Sequence, residues 1–328
     1  MNNPSPRVLC LGEVLFDLLA DQVGQNYEQV TSWTPYPGGA PANVAAALVK
    51  LGTPAGFVGC VGSDDSGNEL VELLKTTGVN IQGVQRHQEA PTRKIYVVRT
   101  NSGDREFAGF GGMDSAAFAD THLDANALDE SLFEMAEFLV LGTLELPYDG
   151  TRGAIEKALQ LAEKYDLKIV LDVNWRPMFW PNPEAAPQAI QHLIEYADFL
   201  KLSAEEAQWL FDTQDPGAIK YRLNSVDGVL VTSGEHGAAY CLGENEDKIP
   251  AFAVKAVDTT GSGDGFLAGL IHQLCQKGIH SLEDAATAKQ VVTYACAVGA
   301  LTATKPGAIA SQPMPSEVEA FLAENPPN

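Results

Sequence analysis

Short apolar runs alternate with amphipathic stretches along most of the chain. Residues 7–12, 57–61, 138–141, 168–172, 199–202 and 229–232 are dense in Val, Leu, Ile and Phe without polar alternation, the pattern of strands covered on both faces. Between them, 42–51 is Ala-rich and stops at Gly52, 67–77 stops at Gly78, and 152–165 and 282–303 carry apolar stripes at helical spacing. This alternation predicts an α/β fold with a mostly parallel central sheet flanked by helices. Residues 14–37 and 92–110 break the rhythm. Their strand-like segments, such as Lys94-Ile95-Tyr96-Val97-Val98-Arg99, are joined by turn residues such as Asn101-Ser102-Gly103-Asp104, a hairpin signature. The pattern fits a small separate β-sheet and edge strands of the main sheet equally well.

The densest chemistry lies in Asp258-Thr259-Thr260-Gly261-Ser262-Gly263-Asp264-Gly265-Phe266. Downstream, Phe266, Leu267, Leu270, Ile271, Leu274 and Cys275 recur at helical spacing, so a helix begins near Gly263. A Gly-Ser-Gly turn entering a helix leaves unpaired N–H groups at the positive end of the helix dipole, which makes an anion cradle. Asp264 gives that cradle a candidate base; read alone, it is also a plain helix cap. Glycines at 261, 263, 265 and 269 exceed what capping needs.

Charge and composition narrow the partners. The 328 residues contain 21 Lys and Arg against 43 Asp and Glu, a net charge of −22, which excludes a broad basic surface for nucleic acid or anionic membrane. The composition is globular, and a chain this long buries roughly 75% of its unfolded surface, so no disulfide or metal staple is required. Cys10, Cys60, Cys241, Cys275 and Cys296 are scattered, each within an apolar run, and read as reduced, buried thiols of a cytoplasmic protein. The apolar stretch 8–20 is broken by Glu13 and Asp17 and does not read as a signal peptide; no run reaches transmembrane length. No Gly-Lys-Ser/Thr occurs, which removes a P-loop, and Phe266 stands where a Rossmann fingerprint needs its third glycine.

Further segments carry chemistry of their own. Asp17 follows a buried strand, where a carboxylate can accept hydrogen bonds from vicinal hydroxyls. Gly38 and Gly39 permit close backbone approach, and Asn43 stands at a helix start, as a cap or as a ligand. Asp172-Val173-Asn174-Trp175-Arg176 ends a buried strand, the place where open α/β sheets bind ligands.

Taken together, these segments resemble the ribokinase-like, or PfkB-type, carbohydrate kinases, with matches from Gly12 to Gly307. The resemblance implies a ribokinase-like kinase domain over 1–328 with a small β-sheet lid formed by 14–37 and 92–110. It makes Asp264 the catalytic base and the Gly261, Ser262 and Gly263 amides the anion hole for the transferred phosphoryl group. It assigns Asp17, Gly38, Gly39 and Asn43 to the sugar, and Arg176 to a phosphate oxygen. Lys201, Ser203, Thr232, Gly234 and Gly237 fall on the nucleotide side. Glu206 matches the residue that organises Mg²⁺ through water, although Ser203 stands where the family usually has Asn. Asp258 and Thr260, with the loop 304–307, match positions where relatives bind a monovalent cation, K⁺ being the candidate. The expected reaction is ATP-dependent phosphorylation of D-fructose to fructose 6-phosphate, with ATP and Mg²⁺ as cofactors. Two alternatives stay open: a 2-keto-3-deoxygluconate kinase, which shares the Asp-x-Asn-x-Arg segment, and a catalytically silent regulatory binding protein. A homodimer through the lid is a further expectation.

Overall fold

The computed structural model describes residues 5–101 and 105–325. Thirteen strands are described: β1 (Val8–Leu11), β2 (Leu15–Val23), β3 (Trp33–Gly38), β4 (Ala55–Gly62), β5 (Asn80–His87), β6 (Lys94–Arg99), β7 (Arg105–Gly109), β8 (Phe138–Leu141), β9 (Lys168–Asp172), β10 (Phe199–Ser203), β11 (Gly228–Thr232), β12 (Ala238–Leu242) and β13 (Asn245–Ile249). Nine form the main sheet, in the order β13-β12-β11-β10-β9-β8-β1-β4-β5. It is parallel from β5 to β11 and ends in the antiparallel β12 and β13.

The unbroken apolar runs are explained by cover on both faces. Along β1, Val8 and Cys10 join one hydrophobic cluster with helices Ala40–Lys50, Ser262–Lys277 and Ala285–Thr302, while Leu9 and Leu11 join another with Asp149–Tyr165 and Ala186–Ile194. A single polar substitution on either face would leave a group unpaired in a core. Local signals set the helix ends: Asp64 caps Asp65–Thr77 by accepting from the Gly67 amide, and Gly78 closes it at φ 100°.

The remaining strands form a separate sheet, β3-β2-β6-β7, which resolves the choice that the alternating pattern left open. Its central pair, β2 and β6, is parallel and joins segments some seventy residues apart in sequence, a non-local contact no hairpin pattern could announce. The predicted turn residues Ser102, Gly103 and Asp104 lie outside the described residues. In the main sheet the chain runs outward from β1 to β4 and β5, then returns to β8 on the other side, so the strand order reverses beside β1. Ligands bind at the C-terminal strand ends near such a reversal. Gly12, Asp172, Ser203 and Thr232 all stand at such ends. No described helix is long and apolar enough to cross a membrane.

Candidate active site

Helix Ser262–Lys277 begins at Gly261, whose φ of 79° only glycine adopts without strain. A Cβ there would also meet Ala308 at 2.9 Å. The Gly263 and Asp264 amides find no acceptor among the described residues, so they are free for an anion. The Ser262 amide is different, since it donates back to the Thr259 carbonyl at 3.1 Å. What Ser262 offers is its hydroxyl, buried without a partner. This corrects the expectation that all three amides from 261 to 263 point outward. Gly265 and Gly269 are also no part of the cradle. Their Cβ atoms would strike Thr302 Oγ1 at 2.6 Å and Ala295 Cα at 3.0 Å, so they exist to let the neighbouring helix pack closely.

Asp264 is buried and accepts from Asn43 Nδ2 at 2.7 Å. Burial pushes its carboxyl up to about 6, against the pull of the Asn43 hydrogen bond and with Asp172 adding to the rise. Asn43 Oδ1 is left buried beside it with no partner among the described residues, an acceptor waiting for a donor. Asn43 sits in the first turn of Ala40–Lys50, and Glu13 holds that helix start by accepting the Ala40 amide at 2.7 Å. Asp17, on β2, faces Gly38 of the paired β3, where a Cβ would stand 3.0 Å from Asp17 Oδ2. Burial raises Asp17 to about 6 as well, opposed first by the Arg105 charge. Gly39 is required by geometry, having φ 107° and room for no Cβ against the Glu13 carbonyl.

A cavity of about 810 Å³ opens on the other side of the 261–264 turn. Thr232, Gly234, Gly237, Ser262 and Gly263 line it, together with Phe252, Val254, Cys296, Gly299 and Ala300. Its walls suit a flat apolar ring at one end and an anion at the other. Cys296 is thus partly buried and borders this cavity rather than being fully buried as expected. Lys201 and Ser203 are not among its lining residues. Lys201 instead bonds both oxygens of its cross-strand neighbour Asp172, at 2.9 and 3.0 Å. Burial would lower its pKa, but Asp172 and Glu206 overcome this and raise it. Its ammonium lies 3.2 Å from where a Gly263 Cβ would stand, so it adds charge beneath the cradle.

Ser203 and Glu206 form a reciprocal capping box, and the second Glu206 oxygen accepts from the Trp175 amide at 2.7 Å. Arg176 is exposed, donates among the described residues only to the Trp175 carbonyl, and projects its charge towards Asp17 and Asp264. Trp175 is a packing residue, stacked on Trp209 at 4.1 Å. Sequence reasoning missed Glu145, which is buried against Glu13; burial drives Glu13 up to about 7 and Glu145 well above the carboxylate range. The walls at 252–254 and 296–300 were missed too, because small apolar residues there look like core.

The arrangement therefore places one buried carboxylate between an anion cradle with an attached cavity and a surface of hydrogen-bonding groups. A profile of the pfkB family of carbohydrate kinases matches residues 5–315. The chain belongs to this family. Fructokinase-2 of Solanum lycopersicum is 33% identical over 318 residues, covering 96% of this chain and 95% of the relative. Among solved structures, a fructokinase from Xylella fastidiosa with bound ATP superposes with a TM-score of 0.87 at 29% identity, over 97% of this chain and 98% of that one. A fructokinase from Vibrio cholerae O395, solved with fructose, ADP and calcium ion, superposes at 0.82 with 27% identity, over 97% and 99%. A double mutant of that enzyme is solved with fructose, ADP and potassium ion. The chain is a kinase of the ribokinase-like fold, and its family resemblance holds.

Proposed function

We propose that this chain transfers the terminal phosphoryl group of ATP to the 6-hydroxyl of D-fructose. The observation that carries the reading is the position of Asp264: buried, bonded to Asn43, and in the first turn of the helix whose Ser262 and Gly263 line the cavity. In this mechanism Asp17, Asn43 and the backbone at Gly38 and Gly39 hold the sugar hydroxyls. Asp264 takes the proton as the primary hydroxyl attacks. The Gly263 and Asp264 amides, the Ser262 hydroxyl and the Lys201 charge face the oxygens on which negative charge develops. The cavity bordered by Thr232, Gly234 and Gly237 takes the nucleotide. Sheet β3-β2-β6-β7 serves as the lid that excludes water.

A metal ion supplies charge neutralisation of the phosphates when bound, and Mg²⁺ fits the residues present. No cluster of three or more metal-ligating side chains occurs among the described residues, as suits an ion held largely by phosphate oxygens. Glu206 and Asp172 are the carboxylates that would meet its waters. The same reading extends to a homodimer through the lid sheet, where Val23 and Phe107 are exposed; light scattering measures it.

The test is ADP release over a panel of fructose, ribose, glucose, adenosine and 2-keto-3-deoxygluconate. Fructose should lead in kcat/KM by at least about tenfold, since losing one matched hydrogen-bonding contact costs that much or more. Preference for 2-keto-3-deoxygluconate would remove fructose and keep the kinase, and no turnover on any sugar would favour the silent binding protein. Asp17→Ala should lower kcat/KM for fructose by at least about 10²-fold with ATP affinity unchanged by calorimetry. An equal loss of ATP affinity would move Asp17 off the sugar side.

A further inference from the structure

The residues matched to a monovalent cation already have a cation. Asp258 and Thr260 do meet the predicted loop, because Asp258 Oδ2 accepts the Gly307 amide at 3.0 Å. The same oxygen accepts Arg105 Nη2 at 3.0 Å, while Arg105 Nη1 donates to Thr260 Oγ1 at 2.7 Å. Asp258 Oδ1 accepts both the Thr260 amide at 3.0 Å and the Thr260 hydroxyl at 2.7 Å. A carboxylate has about four lone-pair sites, and all four are used. The Thr260 hydroxyl spends its proton on Asp258 and accepts from Arg105. The carboxylate has no lone pair to spare for K⁺, the hydroxyl keeps only one, and a guanidinium at 3.0 Å repels the ion.

Arg105 comes from β7, the edge of the small sheet, whereas Asp258 and Thr260 lead directly into Gly261. We propose that Arg105 is the resident cation of this site, a positioning residue that clamps the 258–260 turn, and with it the phosphoryl cradle, to the small sheet, making turnover independent of K⁺. The inference rests on the sugar-kinase reading. It also accounts for the neutral sugar: this guanidinium is engaged by the protein and does not reach for a substrate carboxylate. A planar fork bonded to a carboxylate and a hydroxyl at once is a geometry K⁺ cannot reproduce but can partly replace as charge.

The experiment compares wild type, Arg105→Ala and Arg105→Lys in KCl and in choline chloride at equal ionic strength, with ATP as its Tris salt and MgCl₂ throughout. Wild-type rates should agree within about threefold between the salts, while Arg105→Ala should lose about 10²-fold in choline chloride and regain about tenfold or more in KCl. Arg105→Lys, which keeps the charge, should be intermediate and insensitive to K⁺. Melting temperatures taken without sugar or nucleotide should rise with K⁺ for Arg105→Ala alone. A wild type that gains more than threefold from KCl overturns the proposal. So does Arg105→Ala with no salt response in rate or melting temperature, or Arg105→Lys responding to K⁺ as strongly as Arg105→Ala. The rate ratio is taken on whichever sugar turns over and the melting response needs none, so a failure of the fructose reading stays distinguishable.

Discussion

Asp264→Asn should lower kcat for fructose by about 10²–10⁴ while making the folded protein more stable at pH 8, because in the proposed mechanism one carboxylate carries both the chemistry and a burial penalty. The asparagine keeps the shape and can still accept from Asn43, so the cradle and the nucleotide cavity should survive and ATP affinity should change little. It cannot take a proton. The stability sign follows from the folded pKa of about 6, raised above the unfolded value by burial. Folded protein then binds the proton more tightly than unfolded protein, and stability falls as pH rises from about 4 to about 6. Above that window the whole penalty is present, on the order of 1–3 kcal/mol. The melting advantage of Asp264→Asn should therefore be larger at pH 8 than at pH 5, and wild-type kcat should climb through about pH 6 as the base ionises. Turnover within tenfold of wild type would remove Asp264 from the mechanism. A melting difference independent of pH would show that the carboxyl is not held high.

The parts of this site readable from sequence are those fixed by local rules. The apolar stripe after Gly263 announced the helix, and the helix announced the cradle; the structure starts that helix at Ser262. Thr232, Gly234 and Gly237, which line the cavity, were picked out by the family resemblance, on a loop that follows a buried strand. Contacts made across the fold were not readable. Gly265 and Gly269 could be read only as more glycine than capping needs, because nothing nearby in sequence reveals the helix Ala285–Thr302 against which they pack. Strands β5 and β13, the two edges of the main sheet, expose one side and lack an unbroken apolar run, and they were not anticipated. Ser203 and Glu206 show the reverse case. Their spacing is that of a capping box, a local signal that explains the pair without any nucleotide contact. Arg105 meets Asp258 across 153 residues, so its engagement could be seen only in three dimensions.

Gly263→Val should abolish phosphoryl transfer and leave the fold almost untouched, an outcome that separates the cradle from its scaffold. Among the glycines of the turn, Gly261 has a left-handed backbone and Gly263 does not, so a β-branched residue at 263 meets no backbone strain. Valine is in fact a slightly better helix residue than glycine, by a few tenths of a kcal/mol, which offsets small adjustments nearby. Its Cβ would stand 3.2 Å from Lys201 Nζ, which need yield only slightly at the end of its flexible chain, and its methyl groups would cover the amides of 263 and 264. Losing one preorganised donor to developing charge costs about 10²–10³ in kcat, and here several are lost together, so the fall should be at least that large. Gly261→Val should cost activity and stability alike, because it combines φ 79° with a contact of 2.9 Å to Ala308. Gly265→Ala supplies the opposite control: its Cβ meets Thr302 Oγ1 at 2.6 Å, away from the cavity, so stability should suffer more than kcat. If Gly263→Val turned over normally, the free amides would be no more than a helix end. If all three variants lost activity only in proportion to their melting temperatures, the cradle would have no role of its own.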